Sequence, residues 1–81
     1  MNGIVPVSAY AGGRYPTLAA ARRQRATDLG AVGIVDTRYE LDAHRLPRWI
    51  RDEIISRGCR AERIGSTTYR SSTWVLVPIG K

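Results

Sequence analysis

Apolar residues recur with helical spacing in two segments of the chain. The first segment opens at Pro16 or Thr17, because proline favours the first helical position and threonine can cap it. It ends at Leu29, since Gly30 is a natural C-terminal stop. The apolar stripe of this helix consists of Leu18, Ala19, Ala26 and Leu29.

The second helical pattern opens near Asp42 or Pro47 and closes at Gly58. Its apolar face carries Leu46, Ile50 and Ile54, with Ala43 behind them. The charged residues fall on the other side of this helix: Arg45, Arg48, Arg51 and Asp52.

Short runs of strand-forming residues predict four strands around these helices. Ile4–Tyr10 is the first, and Pro6 argues for an edge position or an irregular start. Ala31–Val35 is a buried second strand that can pair in parallel with the first. Cys59–Tyr69 and Thr73–Ile79 form a C-terminal hairpin.

Two turns fit that hairpin, residues 65–68 and residues 70–72. The second is favoured because residues 67–69 are good strand formers, and Gly65 then becomes a bulge. The order β-α-β-α-β-β predicts one α+β domain spanning residues 1–81, with two helices packed on a mixed four-stranded sheet.

The excess of basic residues adds evidence about the kind of partner that the chain binds. The net charge is +6, and all thirteen basic residues except Lys81 are arginines. Arginine suits bidentate contacts to phosphate and carboxylate and stacks on bases and aromatic rings. Codon usage in a GC-rich genome is an alternative explanation for arginine over lysine. It does not explain the excess of positive charge, which indicates an anionic partner.

The most informative cluster is Arg22-Arg23-x-Arg25 on the first helix. Arg22 falls in the middle of the apolar stripe, Arg25 falls at its edge, and Arg23 points well away from it. An arginine on a buried face must be paired. Arg22 therefore either lies over a small-residue face and meets water or an acidic partner such as Asp36, or belongs with Arg25 to a binding surface.

Two further groups are candidate binding residues. Arg14 follows two glycines in a loop before the first helix, where backbone N–H groups favour anions, although the favoured explanation is a plain connection whose glycines supply positive φ. Trp49 lies between Arg48 and Arg51, the composition of a stacking or hot-spot patch, and its alternative role is to widen the core.

Catalysis, metals and cofactors find little support in the sequence. Asp36, Glu40, Asp42 and His44 come together if the segment is extended, and their composition suits a hard cation. The favoured explanation is that acidic residues before an arginine-rich helix stabilise its dipole and form surface ion pairs. Cys59 has no second cysteine, and a cysteine in a strand is usually buried and inert. We therefore predict no enzyme activity, no metal and no cofactor.

No signal peptide or membrane span is visible, so the sequence predicts a cytoplasmic protein without membrane association. The favoured function is non-catalytic binding, in which the arginine-rich face docks on nucleic acid or on an acidic surface of a nucleic-acid-handling complex. The alternative is an inhibitor acting by protein contact. In size and composition alone the chain is similar to phage and mobile-element accessory proteins, including anti-CRISPR inhibitors. A thin core and exposed strand edges also favour a homo-oligomer.

Overall fold

The computed structural model describes residues 3–12, 16–37, 46–66 and 72–80. Two α-helices and four strands make up most of this part of the chain. In chain order they are β1 (Ile4–Val5), a single 3-10 turn (Val7–Ala9), α1 (Pro16–Asp28), β2 (Gly33–Thr37), α2 (Arg48–Ser56), β3 (Cys59–Ser66) and β4 (Ser72–Pro78).

The strands form one sheet in the order β1-β2-β4-β3, and all three neighbouring pairs are antiparallel. The α+β class is confirmed, with two helices and four strands. The predicted mixed sheet is wrong, because β1 pairs antiparallel with β2, Ile4 opposite Val35. Only two residues of the predicted first strand join the sheet, and Pro6 and the 3-10 turn redirect the chain. The chain therefore does not make the crossover connection between β1 and β2 that parallel pairing of these strands would require.

The sheet is the middle layer of three. One apolar cluster contains Ile50 and Ile54 of α2, and the other contains Ala19 and Ala26 of α1. Along β4, Val75 and Val77 belong to the α1 cluster, and Leu76 between them belongs to the α2 cluster. Because successive strand side chains point to opposite faces, the two helices cover opposite faces of the sheet.

Two glycines end the helices as the sequence predicts. Gly30 follows α1 and Gly58 follows α2, with φ of 72° and 69° respectively. Only glycine adopts this left-handed conformation without steric cost, so each helix stops where a glycine permits the reversal.

The predicted bulge is present beside Gly65, with its extra residue one position earlier than predicted. In the pairing of β3 with β4, Arg63 lies opposite Trp74 and Gly65 opposite Thr73, so Ile64 is the extra residue. A turn at residues 65–68 is wrong, because Gly65 and the residue after it pair with β4. The favoured turn, residues 70–72, ended at Ser72, which is instead the first residue of β4. Residues 67–71 lie outside the described part of the chain.

Candidate binding surface

Tyr10 anchors the α1 side of the sheet through a polar network. Its ring is buried, and its hydroxyl donates to the two carboxylate oxygens of Asp36 at 3.0 and 2.9 Å. The hydroxyl of Thr73, on the neighbouring strand, also donates to Asp36. Arg22 Nη1 lies 3.5 Å from the Tyr10 hydroxyl and donates to it. The network therefore joins α1 to two strands of the sheet.

Arg22 is half-buried and lies against the bulge in β3. A Cβ on Gly65 would come within 3.0 Å of Arg22 Nη2, so the guanidinium occupies space that any other residue at position 65 would enter. The acidic partner expected for Arg22 is Asp36, and the structure connects them through the hydroxyl of Tyr10. Arg22 is thus engaged inside the molecule.

The other two arginines of the α1 cluster differ from each other. The prediction that Arg23 points well away from the core side is wrong, since its Nη1 donates to the backbone carbonyl of Tyr10 at 2.6 Å. This contact captures the chain just after the 3-10 turn. Arg25 is exposed, and its side chain forms no hydrogen bond or ion pair with the described residues. Leu18, placed by the pattern in the apolar stripe, is 42% exposed.

The glycine loop before α1 has a packing role at its first residue. Gly12 has φ of 66°, and a Cβ there would lie 2.5 Å from the Cβ of Ala19. The chain can approach α1 this closely only because residue 12 has no side chain. Arg14 lies outside the described residues, so its predicted anion contact stays a prediction.

The outer side of α2 carries the remaining predicted residues. We define the α2 surface by the exposed residues Arg48, Trp49, Arg51, Asp52 and Ile55. Trp49 is 51% exposed and Ile55 is 64% exposed, so neither widens the core. Within the described part of the chain, Arg48 and Arg51 have no ion-pair partner, unlike Arg57, which pairs with Glu53 at 2.8 Å.

Helical periodicity divides the α2 surface into two edges. At about 100° per residue, Arg48, Arg51 and Ile55 share one side, and Trp49 lies about 160° from Arg51. The sequence placed Trp49 beside both arginines, but on the helix it lies about 100° from Arg48 and nearer to Asp52 and Glu53, three and four residues further on. Ile55 was missed as a surface residue. The sequence feature that could have identified Ile55 as exposed is its position directly after Ile54, which belongs to the buried face.

The predicted arginine-rich face is therefore two surfaces. Arg25 is on α1 and Arg48 and Arg51 are on α2, and these helices cover opposite faces of the sheet. Arg48 and Arg51 of the α2 surface have no ion-pair partner among the described residues and share their helix with exposed apolar area. Arg25 stands on a helix whose neighbouring arginines are engaged with Tyr10. The α2 surface is the better candidate for binding.

Among the described residues, Asp36 of the predicted acid cluster and Cys59 form no second site. Asp36 is engaged by Tyr10 and Thr73, and Glu40, Asp42 and His44 lie outside the described residues. Among the described residues, no three potential ligands converge as a metal site would require. Cys59 is 4% exposed, confirming the predicted burial.

Compared with protein-family models, curated proteins and solved structures, the chain matches none of them. The described helices are both too short and too polar to cross a bilayer.

Proposed function

We propose that this is a non-catalytic binding protein that docks on an acidic patch of another protein through the α2 surface. The observation that carries the proposal is the exposure of Trp49 and Ile55 on a helix that also presents two arginines without ion-pair partners in the described chain. Tryptophan and arginine are the residues most enriched in binding hot spots, where an apolar anchor fills a pocket and arginine bonds its rim.

The charge of α2 favours a protein partner over a phosphate backbone. The helix carries two arginines and two carboxylates, Asp52 and Glu53, and is therefore neutral overall. Asp52 lies four residues after Arg48, on the same outward side of the helix. A surface that neutralises successive phosphates needs one sign of charge, whereas a protein surface accommodates mixed charge around an apolar centre.

The α2 surface is also held rigidly. Ile50 and Ile54 are 3% and 2% exposed and fix the opposite side of the helix on the sheet. Binding through such a helix orders little backbone, so less of the interaction energy is lost to conformational entropy. A chain of this size bound in this way acts by occupying a surface, as an inhibitor or an adaptor does.

The test is affinity capture from the native host with the full chain as bait and nuclease added. We expect one stoichiometric protein partner that survives nuclease treatment. Trp49→Ala and Arg48→Ala baits should each lose it, because they remove the apolar anchor and an adjoining cation.

Arg25→Ala is the matched control, since it removes an exposed arginine from the opposite face of the sheet. That bait should retain the partner. Retention by Trp49→Ala, with circular dichroism showing the fold intact, contradicts the proposed surface. Equal loss with Arg25→Ala indicates binding by net charge alone.

Nucleic acid is the second candidate, and the net charge of +6 is the observation that favours it. Binding through phosphates should weaken steeply with salt, because each neutralised phosphate releases condensed counterions. Fluorescence anisotropy with labelled duplex and single-stranded oligonucleotides at about 50 and 200 mM salt measures this dependence. No binding at the lower salt concentration rules this candidate out.

A further inference from the structure

The outer edge of β3 has the features of a self-complementary interface. β3 lies at the end of the strand order, and no described strand pairs with its outer side. The backbone N–H of Ile79 donates to the carbonyl of Gly58 at 3.0 Å, so the backbone groups of Gly58 face β4. Antiparallel pairing alternates these directions residue by residue, so the backbone groups of Ala61 face outward.

The residue opposite Cys59 supports the same alternation of inward-facing and outward-facing backbone groups along β3. Cys59 lies across from Pro78, which has no N–H to donate. Such a position suits a pair whose backbone groups point away from each other. The regular part of the edge ends at the bulge at Ile64, so it spans Cys59 to Arg63 and its midpoint is Ala61.

The charges of this segment are arranged symmetrically about that midpoint. Arg60 and Glu62 flank Ala61, and their side chains share one face of the strand. They already form an exposed pair with Nη1 and Oε2 at 3.2 Å. If two copies of the edge pair antiparallel about Ala61, each Arg60 comes directly opposite Glu62 of the other copy.

We propose that β3 pairs with β3 of a second copy of this chain, antiparallel and centred on Ala61. Arg60 of one copy then lies directly opposite Glu62 of the other. These two residues exchange no backbone hydrogen bonds, and their Cα atoms are about 4.5 Å apart. The outward backbone groups of the two Ala61 residues bond each other. Each carboxylate gains a second arginine.

The two-fold axis of this dimer is perpendicular to the sheet, because directly opposed residues of antiparallel strands share a face. The two sheets become one continuous sheet, with both copies of α2 on the same side. The dimer therefore presents two α2 surfaces in one direction. This inference stands on the strand edge and does not depend on the proposed function.

Light scattering after size-exclusion chromatography tests the proposal on the full chain over about a hundredfold concentration range. We expect a dimer. Arg60→Glu and Glu62→Arg should each weaken dimerisation at least about tenfold, because like charges then stand opposite each other. The double reversal Arg60→Glu with Glu62→Arg should restore the dimer.

Arg57→Glu is the matched control, since Arg57 belongs to a separate exposed ion pair and its reversal should leave the dimer intact. A monomeric wild-type protein overturns the proposal, and the charges then serve to keep the edge from pairing. Dimers that survive both single reversals, or that are lost equally in Arg57→Glu, overturn it as well.

Cross-linking tests the register without disturbing the charges. Opposed Ala61 residues place their Cα atoms about 5.5 Å apart, within the range of a disulfide. Under mild oxidation Ala61→Cys should form a covalent dimer that reductant dissolves. Ser8→Cys, at an exposed site in the 3-10 turn and not in β3, should stay monomeric on a denaturing gel. Absence of the Ala61→Cys cross-link contradicts the pairing.

Discussion

The hydroxyl of Tyr10 donates to the carboxylate of Asp36, 26 residues away in the chain, at 2.9 and 3.0 Å. This bond ties the segment after the 3-10 turn to β2, and Arg22 and Thr73 complete the network from α1 and β4. Each of these four side chains thus has a polar partner within the network. The network accounts for an arginine on a helix face that is otherwise small and apolar.

We expect Tyr10→Phe to lower the free energy of unfolding by about 1–3 kcal/mol, because Asp36 loses a donor and Arg22 loses its acceptor. Urea denaturation followed by tryptophan fluorescence measures the change. Ser56→Ala removes an exposed hydroxyl that donates to the backbone carbonyl of Glu53 within α2, and it should change stability by less than about 0.5 kcal/mol. Equal effects in the two variants would show that the network contributes nothing specific.

The three arginines of α1 should differ in their contribution to stability, because they differ in their contacts. Arg22→Ala and Arg23→Ala each remove a part-buried hydrogen bond to Tyr10 and should cost about 1–2 kcal/mol. Arg25→Ala should stay within about 0.5 kcal/mol of the wild type, because its side chain is exposed. Thermal denaturation at fixed salt compares them. A destabilised Arg25→Ala with unchanged Arg22→Ala contradicts this assignment.

The elements that the sequence predicts well are those set by local pattern. The spacing of Ile50 and Ile54 places α2 on the sheet, and Gly30 and Gly58 end the helices because each adopts positive φ. The direction of β1 could not be read locally. It depends on how a two-residue strand meets β2, and the apolar run Ile4–Tyr10 has the same composition in either direction.

The candidate site was less predictable than the fold. Arg23 looks solvent-facing on a helical wheel, but the wheel does not include the chain segment that ends at Tyr10, whose carbonyl accepts from it. Likewise, sequence spacing cannot show that α1 and α2 lie on opposite faces of the sheet. That separation follows from the alternation of β4 side chains between two clusters, and it divides Arg25 from Arg48.

Gly12 should tolerate substitution less well than Gly30. Gly12→Ala introduces a methyl group 2.5 Å from the Cβ of Ala19 at a positive φ, and we expect a loss of about 2–4 kcal/mol from both effects. Gly30→Ala has a similar φ and no atom within 4 Å of the new Cβ, so only the conformational cost of about 1–2 kcal/mol applies. Chemical denaturation distinguishes the two, and equal losses contradict close packing at Gly12.

Ile54 and Ile55 are consecutive in sequence and opposite in role. Ile54 is 2% exposed in the cluster beneath α2, whereas Ile55 is 64% exposed on the α2 surface. Ile54→Ala should cost about 2–5 kcal/mol, because it leaves a cavity in the core. Ile55→Ala should keep stability within about 0.5 kcal/mol and weaken capture of the partner.

Val32→Ala is the control for this pair, since it trims an exposed apolar side chain elsewhere, at a residue 55% exposed. It should change neither stability nor capture, because Val32 precedes β2 and is not part of the α2 surface. If Ile55→Ala captured the partner as strongly as the wild type does, Ile55 would not be part of the binding surface. Weakened capture by Val32→Ala would instead indicate that the partner contacts the start of β2. This part of the chain follows α1 and is not part of the α2 surface.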